Sequence, residues 1–239
     1  LYLELERPIF EQQLDKIREC VRRRGKREPL QYILGFTEFF NLTLKVDSRA
    51  LIPRQETEHM IDLCLSVVED ASRVLDLGTG SGIIALALAT ALPNSKVWAV
   101  DQNEGALDLA KENAKLLGLE NRVDFLVSDW LAQVPQEPLF NLIVANPPYL
   151  SEAELDCAEP EVKEYEPRDA LVSKEEGLCD LKRIIDAAHL FLSPEGWLVL
   201  ETGITQHEAL SAVARKIGYR TIESKRDLQN QPRFLFMQR

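Results

Sequence analysis

Cysteine, histidine and positive charge are all scarce in this chain. Its 239 residues include four cysteines and three histidines, and 28 Lys and Arg face 39 Asp and Glu, which gives a formal net charge of −11. The cysteines form no CxxC pair and the histidines, His59, His189 and His207, have no metal-ligand spacing, so we expect no metal site and no disulfide scaffold. The excess of acid argues against direct nucleic-acid contact, which needs positive charge against phosphates.

Long apolar runs and sorting signals are scarce as well. The longest apolar stretch, residues 83–92 with one Thr inside, is shorter than the ~20 residues that cross a bilayer, so no membrane partner is expected. Residues 1–10 lack the basic and then apolar layout of a signal peptide, and the chain starts with Leu1, which we interpret as a trimmed N-terminus. The default location is a reducing cytoplasm, and we expect a monomer.

What is present is the composition and rhythm of an α/β protein. The residues are 45% hydrophobic and 28% charged, and the length fits one large domain with a small appendage. After residue 70, short apolar runs alternate with amphipathic helical stretches, which is typical of a parallel sheet covered by helices on both faces. Strands are predicted at 74–77, 97–100, 123–127, 142–145, 197–200, 219–222 and 234–237, and helices at 83–91, 107–117, 181–192 and 207–217.

A smaller appendage precedes the sheet. Residues 8–24 are predicted to form a helix with Gly25 as its stop, and residues 30–46 have the β pattern of a hairpin that turns near Asn41. The polar residues 53–58 then form a loop that leads into a helix. The chain is therefore divided into three parts: a remnant of a helical domain over 1–28, a β-hairpin linker over 29–52 and the main domain over 53–239.

Two charged stretches each have two interpretations. A basic run at the end of the first helix is either a solvated helix end or a docking patch for a partner, and it comprises Arg22, Arg23, Arg24, Lys26 and Arg27. Residues 151–176 contain ten acids and three bases between a strand and a helix. This acidic segment is either a functional insertion or a solvated loop.

A glycine-rich loop follows the first strand of the main domain, at the edge where α/β sheets bind ligands. Residues 76–82 read Asp-Leu-Gly-Thr-Gly-Ser-Gly and open a helix. A dinucleotide fingerprint would need glycine where Ile83 stands, and the phosphate-loop motif is absent. The carboxylate of Asp76 would repel a pyrophosphate but suits an ammonium or a sulfonium, and S-adenosylmethionine carries both.

Acidic residues also end the next two strands. Asp101 is placed to accept hydrogen bonds from both ribose hydroxyls, and its alternative role is to cap the following helix. Asp129 ends the third strand and is placed to receive an adenine amino group. The indole of the adjacent Trp130 is placed to cover the base, with plain core packing as the alternative.

Asn146, Pro147, Pro148 and Tyr149 follow the fourth strand at the same edge. The prolines hold this backbone out of the helical region, which leaves its carbonyls without internal partners. An NH₂ group supplies two hydrogens, one for the Asn146 side-chain oxygen and one for the Pro147 carbonyl, while the Tyr149 ring can stack on a planar amide or base. An amide nitrogen held this way aims its lone pair at a methyl group without a strong base. The alternative is a rigid turn without chemistry.

Together with two upstream segments, these motifs closely resemble the HemK/PrmC-type methyltransferases, which modify the glutamine of the Gly-Gly-Gln motif in peptide chain release factors. The upstream segments are residues 29–35, Pro-Leu-Gln-Tyr-Ile-Leu-Gly, and residues 51–54, Leu-Ile-Pro-Arg. The resemblance implies a Rossmann-like, seven-stranded class I S-adenosylmethionine-dependent methyltransferase with a small helix and β-hairpin appendage. It also implies that residues 53–239 are the catalytic domain and that release factors are the partners.

The resemblance further implies the roles of individual residues. It gives contacts with S-adenosylmethionine to the glycine loop, the strand ends and the loop before the first long helix, namely Asp76, Leu77, Gly78, Thr79, Gly80, Asp101, Trp130, Asn146, Pro53 and Arg54. It gives contacts with the glutamine side chain to Asn146, Pro147, Pro148 and Tyr149, of which Asn146, Pro147 and Tyr149 form the catalytic set. It places the segment 53–58 along the cofactor side of the pocket, where relatives often carry Pro and Asp in place of Gln55 and Glu56.

Other classes of protein share part of these features. DNA adenine methyltransferases share the Asn-Pro-Pro-Tyr tetrapeptide, but this chain has no inserted target-recognition segment and its charge opposes phosphate contacts. A non-catalytic S-adenosylmethionine-binding module would be expected to have lost Asn146 or the glycine loop. A hydrolase is disfavoured because the sequence has no Ser-centred nucleophile elbow.

Overall fold

The structure, a computed structural model, describes residues 10–70 and 72–239. Its first part contains two helices and a hairpin, namely α1 (Glu11–Gly25), α2 (Leu30–Leu34), β1 (Phe36–Phe39) and β2 (Leu42–Lys45). β1 and β2 pair antiparallel, and Phe40 and Asn41 make the turn between them with positive φ angles of 48° and 59°. The hairpin predicted near Asn41 is confirmed. The helix predicted over 8–24 ends at Gly25 as expected, and residues 8 and 9 lie outside the described residues.

The β pattern predicted from residue 30 is wrong over its first five residues, which form α2. Gly35 ends this short helix in the left-handed region, with a φ of 80°. Its own side chains Tyr32 and Ile33 are buried, and the Tyr32 hydroxyl donates a hydrogen bond to the Ala50 carbonyl at 2.8 Å. Tertiary packing of these two side chains outweighs the local β preference.

The main part alternates strands and helices along the chain. Its helices are α3 (Gln55–Leu65), α4 (Ile83–Ala91), α5 (Glu104–Leu116), α6 (Glu152–Asp156), α7 (Pro160–Tyr165), α8 (Cys179–Ala188) and α9 (His207–Ile217). Its strands are β3 (Arg73–Leu77), β4 (Lys96–Asp101), β5 (Val123–Val127), β6 (Phe140–Ala145), β7 (Leu192–Glu201), β8 (Thr221–Arg226) and β9 (Pro232–Gln238). The predicted sheet of seven strands is confirmed, whereas the loop predicted over 53–58 is already helical from Gln55 onward.

The order of the strands determines where a ligand binds. The sheet runs β5-β4-β3-β6-β7-β9-β8, and β9 is antiparallel to both of its neighbours while the other pairings are parallel. The chain proceeds outward from β3 to β5 and then returns to the other side of β3 with β6. This reversal places the switch point of the sheet between β3 and β6, where α/β sheets bind ligands at the carboxyl ends of their strands. The glycine loop and the Asn146 segment both start there.

Each face of the sheet is covered by its own hydrophobic cluster. One cluster includes Met60 and Leu86 from α3 and α4, and the other includes Ile184 and Leu210 from α8 and α9. All four side chains are fully buried, and each such burial is worth about 1.5–3 kcal/mol. The two cores hold the strands rigidly, so the loops at their carboxyl ends start from fixed points.

One predicted helix is too long. The helix expected over 181–192 ends at Ala188, because Leu192 is already part of β7 and pairs with Phe140 of β6. The Phe140 amide donates a hydrogen bond to the carbonyl of Phe191 at 2.8 Å. The sheet therefore extends into residues that the apolar periodicity predicts to be helical. A strand partner distant in sequence therefore decides this boundary.

The acidic segment is ordered and attached to the first part of the chain. It forms α6, α7 and a 3₁₀ turn at Arg168–Ala170. Arg27 donates to Glu161 at 2.7 Å and to Glu159 at 2.6 Å, so part of the basic run binds this segment of the same chain. The segment is thus neither an open loop nor wholly solvated.

Among the described residues, no helix is both long enough and apolar enough to cross a membrane.

Candidate active site

The glycine loop after β3 turns sharply because its glycines have positive φ. Gly78, Gly80 and Gly82 have φ angles of 68°, 55° and 85°. A side chain at position 82 would also lie 3.0 Å from the Cβ atom of Ala110, so glycine lets α4 pack closely against α5. The Thr79 amide donates to the Val100 carbonyl of β4 at 2.9 Å, which fixes the loop over the sheet edge.

Asp76 lies beneath this loop with no solvent exposure. Its Oδ2 atom accepts hydrogen bonds from the Thr79 hydroxyl at 2.6 Å and from the Ala85 amide at 3.1 Å. Its Oδ1 atom is buried and has no hydrogen-bond partner among the described residues. Burial raises the pKa of Asp76 to about 7, because the charged form is poorly solvated there.

Asp101 ends β4 beside the glycine loop and lines the cavity at this edge. Its two carboxylate oxygens accept from the Gly80 amide and from the Asn103 amide, both at 2.9 Å. Burial raises its pKa. The capping alternative belongs to another residue, since the side chain of Asn103 accepts from the amides of Gly105 and Ala106. Each Asp101 oxygen keeps a lone pair for a ligand hydroxyl.

Trp130 and Asp129 follow β5, but their side chains lie in different surroundings. The indole of Trp130 lies against the glycine loop, 3.0 Å from where a Cβ atom at Gly78 would be, and its Nε1 donates to Asp180 Oδ1 at 3.1 Å. Trp130 lines the cavity, whereas Asp129 does not. The carboxylate of Asp129 forms an ion pair with Arg183 at 2.9 Å, because α8 brings that arginine to the same surface.

The Asn146 segment leaves β6 at the centre of the edge. Asn146 Nδ2 donates to the Thr57 hydroxyl at 3.3 Å, so its Oδ1 is the atom left to accept. Within residues 10–70 and 72–239, no donor forms a hydrogen bond with the Pro147 carbonyl. The Tyr149 hydroxyl donates to Glu201 at 3.2 Å, and Arg233 stacks over its ring at 5.9 Å, so this ring packs inward.

One cavity of about 790 Å³ joins these elements. This volume is in the range of small-molecule sites. The predicted residues that line the cavity are Pro53, Arg54, Gly78, Thr79, Gly80, Asp101, Trp130, Asn146 and Pro148. The remaining ones, Asp76, Leu77, Asp129, Pro147 and Tyr149, lie behind or beside its wall.

The positive charges of the cavity wall are already neutralised. Arg49 pairs with Asp47 at 2.7 Å, Arg54 pairs with Glu166 at 2.6 Å, and Arg168 pairs with Glu152. A pyrophosphate would therefore find little free positive charge here. The free acceptors, Asp101 and Asn146, instead suit a ligand that presents hydroxyls and a cation, which fits S-adenosylmethionine.

The sequence motifs left out three residues of this site. Asp180 lines the cavity together with Thr57, which the resemblance had placed there, while Glu166 and Glu201 are buried behind it and accept hydrogen bonds from Arg54 and Thr57. The buried carboxylates had one weak signal, since an acid beside apolar strand residues, as in Leu200-Glu201, needs a partner. The identity of that partner depends on tertiary contacts.

The fold and the cavity define a class of enzyme. A family model described as the methyltransferase small domain matches residues 56–161. The hMettl16 catalytic domain, solved in complex with the MAT2A 3′UTR hairpin 1, has a TM-score of 0.72 at 19% identity and covers 87% of this chain and 79% of that chain. A methyltransferase from Pyrococcus furiosus has a TM-score of 0.64 at 16% identity, with 96% and 98% covered. The fold is that of the class I methyltransferases.

Closer relatives identify the family. A model described as the PrmC N-terminal domain matches residues 1–35. The release factor glutamine methyltransferase of Geobacter sulfurreducens is 43% identical over 92% of this chain and 76% of the relative. The enzyme of the same name from Salmonella typhimurium is 41% identical over 93% and 79%. This chain belongs to the release factor glutamine methyltransferase family.

Proposed function

We propose that this protein transfers a methyl group from S-adenosylmethionine to the side-chain amide nitrogen of the glutamine in the Gly-Gly-Gln motif of peptide chain release factors. The observation that carries the proposal is the pair of acceptors after β6. Asn146 Oδ1 has no donor of its own, and neither does the Pro147 carbonyl in the described part of the chain. A primary amide supplies the two hydrogens that such a pair accepts.

The other site residues are proposed to bind the methyl donor. Asp101 accepts the ribose hydroxyls, Trp130 covers the base, and Pro53 and Arg54 close the opposite wall. Asp76 stays buried under the loop, and the positive charge of the bound methyl donor would favour its ionised form. When bound, S-adenosylmethionine would supply a methyl carbon that its sulfonium makes electrophilic, with S-adenosylhomocysteine as the leaving group and one proton released from the amide nitrogen.

The chain's own contribution to the reaction is mainly orientation. Asn146 Oδ1 and the Pro147 carbonyl hold both hydrogens of the substrate amide on one side, which favours a pyramidal nitrogen whose lone pair points away from them. Two fixed dipoles of this kind need no reorganisation during the reaction, and one such dipole is worth on the order of 10²–10³ in rate. Pro148 fixes the backbone that carries them, since it keeps the preceding Pro147 out of the helical region.

Two further features belong to the same proposal. We place the reaction in the cytoplasm, since the four cysteines of the structure are all free thiols. We also propose a monomer, since residues of one chain are enough to line a cavity of the size of a small-molecule site. The acidic surface and the three paired arginines favour a protein substrate over a phosphate-rich one.

A competition experiment tests the proposed substrate. Purified protein and labelled S-adenosylmethionine are incubated with a release factor and a DNA duplex containing adenine, in one tube. We expect label in the release factor alone, and Asn146→Ala should fold normally but transfer methyl on the order of 10²–10³ more slowly. Label in the duplex but not in the release factor would favour the adenine methyltransferase instead.

A further inference from the structure

Glu201 is a buried acid that the reaction described above does not use. It ends β7, directly beside Asn146, since Ala145 of β6 pairs with Leu200 of β7. Its side chain accepts hydrogen bonds from the Thr57 hydroxyl at 2.8 Å and from the Tyr149 hydroxyl at 3.2 Å. Glu201 and Thr57 are 1% and 2% exposed, so both side chains are almost fully buried. Three separate elements, α3, β7 and the segment after β6, therefore meet at one carboxylate.

The directions of these hydrogen bonds follow from the chemistry of the groups. An ionised carboxylate can only accept, so the Thr57 hydroxyl must point its single hydrogen at Glu201. The Thr57 oxygen is then left as an acceptor toward Asn146, which lies 3.3 Å away. An acceptor there selects the NH₂ side of the Asn146 amide. The other side, Oδ1, must face the cavity.

We infer that Glu201 and Thr57 are positioning residues that fix which end of the Asn146 amide faces the substrate. The inference rests on the proposed function, in which Asn146 Oδ1 accepts a hydrogen from the amide to be methylated. A reversed Asn146 would present its NH₂ group to the NH₂ group of the substrate, and two donors repel. The carboxylate thus acts through two successive hydrogen bonds on an atom that it does not touch.

The charges around Glu201 bear on this arrangement. Burial raises its pKa, while the hydrogen bonds from Thr57 and Tyr149 and the positive charge of Arg233 favour the ionised form; Glu56 opposes it. Only the ionised form accepts from both hydroxyls at once. Tyr149 then serves as the second donor that keeps the carboxylate in place.

Substitutions at Thr57 distinguish the effect of its hydroxyl from the effect of the shape of its side chain. Thr57→Val keeps the branched side chain but offers Asn146 no acceptor, so the NH₂ group is satisfied only when the amide reverses toward the cavity. One buried donor without a partner corresponds to about a 5- to 100-fold preference, and we expect kcat to fall by that factor. Thr57→Ser restores the hydroxyl, and its kcat should stay within about threefold of wild type.

A second variant tests the source of the direction. In Glu201→Leu the Thr57 hydroxyl loses its acceptor and can donate to Asn146 Oδ1, which again reverses the amide. We expect kcat to fall about 5- to 100-fold, and the double variant Thr57→Val, Glu201→Leu should be no slower than Thr57→Val alone, because both changes act on one orientation. Thermal unfolding identifies any variant that fails to fold. If Glu201→Leu does not fold, the comparison of Thr57→Val with Thr57→Ser is the test of the inference.

The measurements are single-turnover rates on a release factor and the dissociation constant for S-adenosylmethionine, for wild type and each variant. A fall in kcat with Thr57→Val that exceeds any change in the dissociation constant, and its recovery with Thr57→Ser, support the inference. Equal rates for Thr57→Val and Thr57→Ser, or a loss confined to cofactor affinity, overturn it while the proposed function stands. If the wild-type protein itself does not methylate the release factor, the proposed function fails first.

Discussion

In the protein without ligand, we expect Asp76→Asn to be about as stable as wild type in acidic solution and more stable than wild type in alkaline solution. Asp76 is fully buried, one of its oxygens has no partner in the described residues, and its pKa is raised from 3.8 to about 7. The folded chain therefore keeps this proton up to about pH 7, whereas the unfolded chain releases it near pH 4. A raised pKa in the folded state contributes stability below the unfolded pKa, and this stability is lost as the pH rises through the folded pKa.

The size of the effect follows from the two pKa values. From this group alone, the wild-type chain should be roughly 2–3 kcal/mol less stable at pH 8 than at pH 5. An asparagine side chain has about the same size as an aspartate and cannot ionise, so the variant lacks this loss. Its amide oxygen can still accept from Thr79 and Ala85, which preserves the loop.

The assay is urea unfolding of wild type and Asp76→Asn at pH 5 and pH 8. The difference between the two proteins cancels the titration of other groups. We expect similar free energies of unfolding at pH 5 and a more stable variant at pH 8, together with weaker binding of S-adenosylmethionine by the variant. A variant that is less stable than wild type by the same amount at both pH values would contradict a raised pKa of Asp76.

Two further predictions concern cofactor binding and thiol reactivity. Asp101→Ala should raise the dissociation constant for S-adenosylmethionine about 30- to 1000-fold, since two charge-assisted hydrogen bonds are worth ~2–4 kcal/mol. Asp129→Ala should change this constant less than about threefold, because Asp129 pairs with the exposed Arg183. Calorimetry distinguishes the two variants, and equal losses of affinity would contradict the placement of Asp101. A thiol reagent should label the exposed Cys157 in the native protein and Cys64 only after unfolding, because Cys64 is buried and burial raises the pKa of its thiol. Mass spectrometry of labelled peptides checks this order. Labelling of Cys64 in the native protein would contradict its burial.

The local features of the fold could be predicted from the sequence because their signals are local. The glycine loop, the strand before it and the helix over His207–Ile217 follow from glycine spacing and apolar periodicity within one short stretch. The hairpin turn at Asn41 has the same kind of origin. The boundary errors at α2 and α8 arise where a distant partner, such as Phe140 for Leu192, overrides the local pattern.

The site could be predicted only as far as the strand ends that carry it. The sequence places Asp101, Trp130 and Asn146 at one edge because parallel strands end there together, and the structure brings these three to one cavity. It could not reveal that Arg183 pairs with Asp129, or that Glu201 reaches Thr57, since these pairs lie 54 and 144 residues apart. Such contacts depend on how helices lie on the sheet, which no short motif encodes.

Mass spectrometry of a release factor after incubation with this protein and labelled S-adenosylmethionine tests the central claim most directly. The proposed function predicts a single added methyl group, localised by fragmentation to the side chain of the glutamine in the Gly-Gly-Gln motif. It also predicts that a release factor with that glutamine replaced takes up no label. Methyl incorporation that persists after the replacement, or no incorporation into the intact release factor, would contradict it.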